Sequence, residues 1–402
     1  MLQKFPTFAG VKGPVVVIVM DGYGIPEHDV GSAIDAARKP TLDRLFAHYP
    51  NITLRAHGTA VGMPSDDDMG NSEVGHNAIG AGQVYAQGAA LVANAIAEGA
   101  IWQGEAWQQI VAGAKAGRGV LHFIGLFSDG NVHSHIDHLK AMVLRAKEEG
   151  VGTVRIHALL DGRDVPETSA LDYVVPFEAF LKDISSAGFD ARIASGGGRQ
   201  CITMDRYDAN WPMVARGWRT HVLGEGPQFA NATAAVHGLR ALHPGTIDQD
   251  LPEFVIADAG KPIGTIEDGD SVVFYNFRGD RAIEITRAFV EEQFTEFDRV
   301  RHPRVTYAGM LQYDGDLQLP KRFLVAPPAI MDTSAEWFSK SGLAQFACSE
   351  TQKFGHVTYF WNGNRSNKFD GETWQEVPSD VVPFEQRPWM KAAEITDAII
   401  AA

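Results

Sequence analysis

The sequence has few cysteines and no long apolar run. Its 402 residues include 2 cysteines, Cys201 and Cys348, too few for a disulfide framework and without the paired spacing of a zinc site. We therefore expect two reduced, buried or half-buried thiols in a cytoplasmic protein. The longest strongly apolar run, Val15 to Met20, is far shorter than the roughly 20 residues of a membrane-spanning helix. The N-terminus has no apolar segment typical of a secretory signal, so no membrane partner is expected.

Positive charge is also scarce. The chain has 35 Lys and Arg against 50 Asp and Glu, which gives a formal net charge of −15 and a pI near 5.4. A surface of that sign repels a phosphate backbone, so we expect no nucleic-acid partner. A small anionic ligand would have to be bound by a local concentration of Arg or Lys that overrides the global field.

The pattern of apolar residues predicts an α/β fold. At this length two domains are more common than one. Apolar β-branched runs alternate with helical periodicities along the whole chain, as expected for layers around a largely parallel sheet. The predicted strands are Val15–Met20, Leu121–Phe127, Val154–Leu160, Val272–Phe277 and Val305–Leu311. The predicted helices include 136–149, 169–186, 282–291 and 394–401, with a further helical spacing at residues 42–46.

Two stretches have the composition of linkers. Residues 80–88 are rich in Gly and polar residues, and Ala326-Pro327-Pro328 would stiffen a connection. If both are linkers, residues 87–327 form a domain inserted into an outer domain built from 1–86 and 328–402.

Asp21 and Ser72 are the first candidates for chemistry. Asp21 directly follows the predicted strand Val15–Met20, where its carboxylate could bind a metal or act in catalysis, or could simply open a glycine turn. Ser72 lies among glycines at a probable helix start and could be an N-cap or a nucleophile. Serine needs a base or a metal to act as a nucleophile, and no Gly-x-Ser-x-Gly elbow is present, so a metal is the better explanation.

Polar residues also follow the next two predicted strands. His133 and His135 come after Leu121–Phe127 and could bind metal or phosphate, or lie as ordinary loop histidines. Arg163 and Asp164 come after Val154–Leu160 and could form a functional pair or a simple turn salt bridge.

Basic residues recur next to glycines and strand ends, where an anion site would need them. Guanidinium groups match phosphate and carboxylate and stay charged when desolvated. Any one of these residues could equally be a surface ion-pair partner or an exposed lysine, but together they favour an anion site. They are Arg199, Arg206, Arg278, Arg281 and Lys353.

Seven segments in this order resemble the cofactor-independent, manganese-dependent phosphoglycerate mutases, particularly the plant and trypanosomatid-like branch. The resemblance extends from residue 19 to residue 353. The segments are 19–24, 70–77, 128–135, 161–165, 203–207, 274–281 and 350–353.

The resemblance implies an alkaline-phosphatase-like phosphatase domain interrupted by an inserted α/β phosphotransferase domain. Ser72, activated by Mn²⁺, would take the phosphoryl group of 3-phosphoglycerate, and glycerate would reorient and receive it on its other hydroxyl. Asp21 and Ser72 match metal ligands at a site for two Mn²⁺ ions, and Asp164 matches a proton shuttle. The positions that match substrate binding are His133, Arg163, Asp164, Arg199, Arg206, Arg278, Arg281 and Lys353. We expect a monomer whose only partner is the small-molecule substrate.

One feature departs from the family pattern. The Asp-x-x-Gly-His-type and Asp-His-Gly-Asn segments that supply most metal ligands in the family do not occur in these 402 residues. We therefore expect the phosphatase domain to be incomplete at its C-terminus, with exposed apolar surface and a tendency to aggregate. A non-catalytic phosphoglycerate-binding fragment is the alternative, and a phosphatase or phosphopentomutase is a third possibility that the arginine-rich insertion disfavours.

Overall fold

The computed structural model of the chain divides into two compact units. It describes residues 2–3, 6–8, 10–25, 31–63, 66, 70–86, 88–116, 118–206, 209–314, 317–326, 330–380, 382 and 386–402. Unit 1 comprises Met1–Gly62, Gly70–Tyr85 and Ala329–Ala402, and unit 2 comprises Met63–Met69 and Ala86–Pro328. Within the described ranges, no helix has the length and apolarity needed to cross a membrane.

Unit 2 is built on an eight-stranded, mainly parallel sheet. In space the strands run β4-β5-β3-β2-β1-β7-β8, with β6 paired to β5. The pairs of β1 with β2 and β7, of β2 with β3, and of β7 with β8 are parallel, whereas β3 and β5 are antiparallel. The strand bounds are β1 Val120–Leu126, β2 Thr153–Leu160, β3 Asp190–Gly198, β4 Gln228–Phe229, β5 Phe254–Asp258, β6 Lys261–Pro262, β7 Ser271–Phe274 and β8 Thr306–Gly309.

Helices cover this sheet and bury its apolar side chains. Residues such as Leu121, Phe123 and Val154 are fully buried, as expected for strands covered on both faces. One core cluster includes Trp107 and Phe177, and a second includes Trp218 and Phe274. The helices of unit 2 are α4 Gly88–Ala97, α5 Ala100–Gln103, α6 Glu105–Ala116, α7 Ile136–Glu148, α8 Ala170–Ile184, α9 Trp211–Trp218, α10 Ala232–Leu242 and α11 Ile283–Val290.

The described residues of unit 1 form short helices and one small sheet. Its strands, β9 Gln345–Glu350 and β10 Glu372–Val377, pair in parallel. Its helices are α1 Ala33–Ala36, α2 Pro40–His48, α3 Ser72–Ala81, α12 Ser334–Lys340, α13 Thr351–Gly355 and α14 Ala392–Ala401. A π-helical turn, His356–Phe360, continues α13.

The α/β class is confirmed, and the structure contains the predicted helices and four of the five predicted strands. The strand predicted at Val15–Met20 is wrong. These residues are not part of any described sheet, and Val15 and Ile18 are 78% and 73% exposed. An apolar β-branched run becomes a buried strand only where a neighbouring strand pairs with its backbone and a second layer covers its side chains.

The predicted linkers are only partly described. Gly80 and Ala81 belong to α3 and Gly88 begins α4, so the non-helical stretch is shorter than predicted. Residues 87, 327 and 328 lie outside the described residues. The division into 1–86 with 328–402 and 87–327 therefore stays a prediction.

Candidate active site

In unit 1, Asp21, Ser72 and Lys353 form a hydrogen-bonded cluster. Ser72 Oγ donates to Asp21 Oδ2 at 2.8 Å, and Lys353 Nζ donates to Ser72 Oγ at 2.9 Å. Lys353 Nζ also lies 2.5 Å from Asp21 Oδ2. The serine oxygen thus contacts both a carboxylate that can accept its proton and an ammonium group that stabilises negative charge on it.

Local sequence positions these three side chains. Asp21 lies in a turn in which Tyr23 N donates to the Met20 carbonyl, and Gly22 has φ 77°. Ser72 is the first residue of α3, and Lys353 lies in α13, directly after β9. The predicted sheet edge at Asp21 is absent because residues 15–20 form no strand.

Asn71, rather than Ser72, caps α3. Its Oδ1 accepts hydrogen bonds from the backbone N–H groups of Glu73 and Val74 at 3.0 and 3.1 Å. This arrangement leaves the Ser72 hydroxyl for Asp21. Two of the first N–H groups of the helix are bonded to Asn71, so they are not available to hold an anion.

The charge of the Lys353 side chain affects Asp21. Partial burial raises the pKa of the Asp21 carboxyl, but hydrogen bonds from Lys353 and Ser72 outweigh it, and the net pKa lies below the usual 3.8. Asp21 is therefore ionised at neutral pH and accepts the hydrogen bond of Ser72, although the lowered pKa makes the carboxylate a weaker base.

In unit 2, the candidate residues lie in loops that follow the carboxyl ends of parallel strands. His133 follows β1, Asp164 follows β2, and Arg199 directly follows β3. Arg278 and Arg281 follow β7. Since these strands are parallel neighbours, their carboxyl ends share one edge of the sheet, the usual ligand position in α/β folds.

Asp161 holds the loop after β2 in place. Its Oδ1 accepts hydrogen bonds from the backbone N–H groups of Arg163 and Asp164 and from Arg199 Nη1, at 3.1, 3.0 and 2.9 Å. Its Oδ2 accepts one from Ser128 Oγ at 2.6 Å. A single buried carboxylate therefore connects the loops after β1, β2 and β3.

Asp164 is fixed on two sides. Its Oδ2 contacts Arg199 Nη1, whose side chain is almost fully buried. The sequence left open a turn salt bridge between Arg163 and Asp164. In the structure Asp164 instead pairs with Arg199, which follows the neighbouring strand β3. On the other side Gly130 packs against it, since a Cβ at Gly130 would lie 2.9 Å from Asp164 Cβ.

Asp280 lies close to two arginines and a histidine of this edge. Arg278 Nε donates to its Oδ1 at 3.0 Å, and His133 Nδ1 lies 3.6 Å from the same oxygen. Arg206 Nη1 lies 3.8 Å from its Oδ2. Asp280 therefore orients Arg278 through a hydrogen bond and lies within ion-pair distance of Arg206, whereas the buried His133 Nδ1 has no hydrogen-bond partner among the described residues.

The positively charged arginines at this edge of the sheet lie close enough to affect one another and His133. Burial, followed by the charges of Arg206 and Arg199, lowers the pKa of Arg281 to about 10, although Asp280 opposes the shift. Burial and the charges of Arg199 and Arg278 hold the pKa of His133 well below 6.5, so this histidine is neutral. The buried Arg199 Nε has no hydrogen-bond partner among the described residues. An anion at this edge would relieve the repulsion and accept that hydrogen bond.

The described residues do not complete a divalent-metal site. Asp21 and Ser72 supply at most three oxygen atoms, fewer than the ligand number of Mn²⁺ or a similar ion. The described parts of the chain contain no group of three or more His, Cys, Asp and Glu side chains able to hold a metal.

Sequence reasoning missed the roles of Asp161 and Asp280. Both are acidic residues within two positions of an arginine, in Asp161-Gly-Arg163 and Gly279-Asp280-Arg281. This proximity of opposite charges in the sequence could have indicated that the two acids pair with arginines. Arg163 is exposed, with its backbone N–H bonded to Asp161. His135 accepts a hydrogen bond from Asp137 N at the start of α7 and so caps a helix.

The chain is similar to known phosphoglycerate mutases over most of its length. Residues 92–315 match the family described as BPG-independent PGAM N-terminus. A probable 2,3-bisphosphoglycerate-independent phosphoglycerate mutase of Leptospira interrogans is 56% identical over an alignment of 402 positions that covers 99% of this chain and 73% of that protein. The 2,3-bisphosphoglycerate-independent phosphoglycerate mutase of Trypanosoma brucei is 52% identical, over 96% of this chain and 71% of that protein.

A solved structure shares the fold. The structure of Leishmania mexicana phosphoglycerate mutase at low cobalt concentration aligns with a TM-score of 0.83 and 52% identity. The alignment covers 94% of this chain and 70% of that chain.

Proposed function

Because the chain belongs to the 2,3-bisphosphoglycerate-independent phosphoglycerate mutase family, an isomerase family, we propose that it converts 3-phosphoglycerate to 2-phosphoglycerate through a phosphoserine at Ser72. The observation that carries this assignment is the contact of Ser72 Oγ with both Asp21 and Lys353. A serine hydroxyl with a base on one side and a cation on the other is an activated nucleophile.

In the first half of the reaction, Ser72 Oγ attacks phosphorus and the bond from phosphorus to the 3-oxygen of glycerate breaks. The Ser72 proton passes to Asp21, and Lys353 stabilises the negative charge on the serine oxygen. In the second half, the 2-oxygen of glycerate attacks the phosphoserine and Ser72 regains its proton from Asp21.

The two glycerate oxygens exchange a proton over this cycle. The 3-oxygen takes one up as it leaves, and the 2-hydroxyl gives one up as it attacks. Asp164 enters the cycle protonated, gives its proton to the departing 3-oxygen and is reprotonated by the 2-hydroxyl, and its contact with Arg199 and its packing on Gly130 keep the carboxyl group in one orientation.

The basic residues of unit 2 bind the phosphate and carboxylate of the substrate. Bidentate guanidinium contacts to both groups fix the orientation of the molecule, which is the main requirement of a phosphoryl transfer. The residues proposed for this role are His133, Arg163, Arg199, Arg206, Arg278 and Arg281, and Asp164 would contact the glycerate hydroxyls.

The family is metal-dependent, and we propose Mn²⁺ as the ion, with two ions as the expected number. Asp21 and Ser72 would contribute oxygen ligands. No step above depends on the metal, because these two side chains do not make a complete site by themselves. We also propose a monomeric protein that acts in the cytoplasm.

The test is an assay of the 402-residue chain with 3-phosphoglycerate and Mn²⁺ in the absence of 2,3-bisphosphoglycerate. Phosphorus NMR would follow the formation of 2-phosphoglycerate, and mass spectrometry after acid quenching would locate the phosphoserine. Ser72→Ala should remove both signals. Ser339→Ala, a serine of α12 in the same unit, is the matched control and should retain them.

Lys353→Ala should lower the rate about 10²-fold or more, as expected for loss of a group that stabilises developing charge. Lys340→Ala, an exposed lysine of unit 1, should leave the rate unchanged. Phosphoglycerate binding that is unaffected by Mn²⁺ and is not followed by conversion would favour the non-catalytic binding protein over the mutase.

A further inference from the structure

A continuous chain of buried polar side chains crosses the sheet of unit 2. His122 Nε2 lies 3.3 Å from Asp270 Oδ2, and His122 Nδ1 lies 2.9 Å from His157 Nε2. His157 Nδ1 lies 2.7 Å from Ser195 Oγ, which lies 2.8 Å from His221 Nδ1. This series of contacts, which we call the histidine chain, ends where His221 Nε2 lies 3.0 Å from Thr203 Oγ1.

Its location in the core is unusual for so many polar groups. His122, His157 and Ser195 lie on the neighbouring strands β1, β2 and β3. All members of the histidine chain, from Asp270 to Thr203, are at most 2% exposed. A buried polar group destabilises the folded protein unless it is hydrogen-bonded. Each donor in this network therefore needs an acceptor.

One assignment of protons satisfies these contacts. The Asp270 carboxylate only accepts, so His122 Nε2 carries a hydrogen and His122 Nδ1 accepts from His157. Continuing in the same direction, Ser195 donates to His157 and accepts from His221 Nδ1. His221 Nε2 is then left to accept from the Thr203 hydroxyl. All three rings are neutral in this scheme, in agreement with the burial that lowers the pKa of His122, His157 and His221.

A π-helical turn brings His221 into this position. Arg219–Leu223 continues α9 as a π-helix, which is rare and occurs frequently at functional sites. The turn ends at Gly224, which has φ 71°.

At its Thr203 end, the histidine chain lies next to Arg281, one of the candidate substrate arginines. Thr203 has φ 68°, a conformation that β-branched residues rarely adopt without support from their surroundings. The next residue, Met204, accepts a hydrogen bond from Arg281 Nη1 through its carbonyl oxygen at 2.6 Å. Gly217 leaves room for the threonine, since a Cβ there would lie 2.1 Å from Thr203 Oγ1.

We propose that the histidine chain positions the substrate arginine Arg281 by holding Thr203 in its left-handed conformation. The bond from Thr203 to His221 fixes the backbone that presents the Met204 carbonyl to Arg281. Thr203, His221 and Ser195 are thus positioning residues for the anion site. The inference rests on the proposed function, because Arg281 is a substrate residue only there.

The test compares Thr203→Val, which removes the hydroxyl but keeps the branched shape, with Thr203→Ser, which keeps the hydroxyl. Calorimetry with 3-phosphoglycerate should show about tenfold weaker binding for Thr203→Val, as expected for one lost buried hydrogen bond. Thr203→Ser should bind within about twofold of the unmodified chain. Crystal structures should show the bond from Arg281 to Met204 lost in the first variant and kept in the second.

Two further variants separate positioning from general stability. Thr286→Val also removes a buried hydroxyl of unit 2, one that bonds Tyr307 OH at 2.7 Å, and it should not change the affinity. Ser195→Ala interrupts the histidine chain without touching Thr203 and should also weaken binding. In an Arg281→Met background, Thr203→Val should cause no additional loss.

The outcomes are distinct. Normal affinity in Thr203→Val or Ser195→Ala, or an equal loss in Thr286→Val, would overturn the positioning role. If the unmodified chain does not bind 3-phosphoglycerate, the proposed function fails. The crystal structures still decide the positioning role in that case, because a bond from Arg281 to Met204 that persists in Thr203→Val would overturn it.

Discussion

Arg199 Nη1 lies 2.9 Å from Asp161 Oδ1, and both side chains are almost completely buried. The pair connects the ends of β2 and β3, and Asp161 also binds two backbone N–H groups. The arrangement of the candidate substrate site therefore depends on an interaction that is internal to unit 2 and does not require a ligand.

Removal of this carboxylate should destabilise unit 2. Asp161→Ala would leave the buried Arg199 guanidinium short of a partner, and breaking a buried pair in this way costs about 3–5 kcal/mol. Urea denaturation should show that decrease in the free energy of unfolding. Glu225→Ala breaks an exposed pair with Arg219 and should change the free energy by less than about 1 kcal/mol. Equal losses in the two variants would contradict the assigned role of Asp161.

Asp280→Asn should weaken substrate binding, even though it makes the site more positive. The carboxylate orients Arg278 and contacts His133 and Arg206, and a hydrogen bond to a charged group contributes about 1.5–3 kcal/mol. Calorimetry with 3-phosphoglycerate should show an affinity at least about tenfold lower. Asp183→Asn, the same change at an exposed position of α8, is the control. Tighter binding in Asp280→Asn would show that the carboxylate opposes the substrate.

His138 should make the protein less stable in acid. Burial, followed by the charge of His135, lowers the pKa of this α7 side chain from 6.5 to about 4. The unfolded chain therefore binds a proton at a higher pH than the folded chain, so the free energy of unfolding falls as the pH drops from about 6.5 towards 4, by roughly 3 kcal/mol from this group. Urea titrations at several pH values should give a shallower decline for His138→Gln. Identical slopes would contradict the prediction.

The exposed apolar segment Val15–Met20 should promote self-association. Val15, Val17 and Ile18 are 78%, 65% and 73% exposed, and contiguous apolar surface of this kind is an aggregation hazard. Light scattering should increase with concentration for the unmodified chain and less for Val17→Lys. Val175→Lys, at an exposed position of α8, should not reduce it. A chain that stays monodisperse at high concentration would contradict this prediction.

The strands β1, β2, β7 and β8 and the helices α7, α8 and α11 could be predicted because each has an apolar pattern that agrees with its packed environment. Leu121–Phe127 and Val154–Leu160 are apolar and β-branched, and they became β1 and β2 within one residue at either end. The strand β3 was missed because it ends in Gly196-Gly197-Gly198, which is a poor strand sequence. Close neighbours require those glycines: a Cβ at Gly196 would lie 2.4 Å from the Ala158 carbonyl oxygen.

The candidate site could be predicted as a set of residues but not as a set of contacts. The arginines next to glycines indicated an anion site, and the parallel strand order explains why they share one edge. The contact of Arg199 with Asp161 and Asp164 joins residues from two different loops, and no spacing rule specifies it. The failure at Val15–Met20 has a related cause, since a strand depends on neighbours elsewhere in the chain.

The fixed backbone around Arg163 suggests where the selectivity of this protein could be redesigned. The N–H groups of residues 163 and 164 are bonded to Asp161, and Gly130 leaves no room for Asp164 to shift. The Arg163 side chain itself is exposed, so an engineer could exchange it for shorter or uncharged groups while the loop retains its shape. A library at this single codon would therefore sample acceptance of differently sized phosphorylated acids without disturbing the framework that holds Asp164.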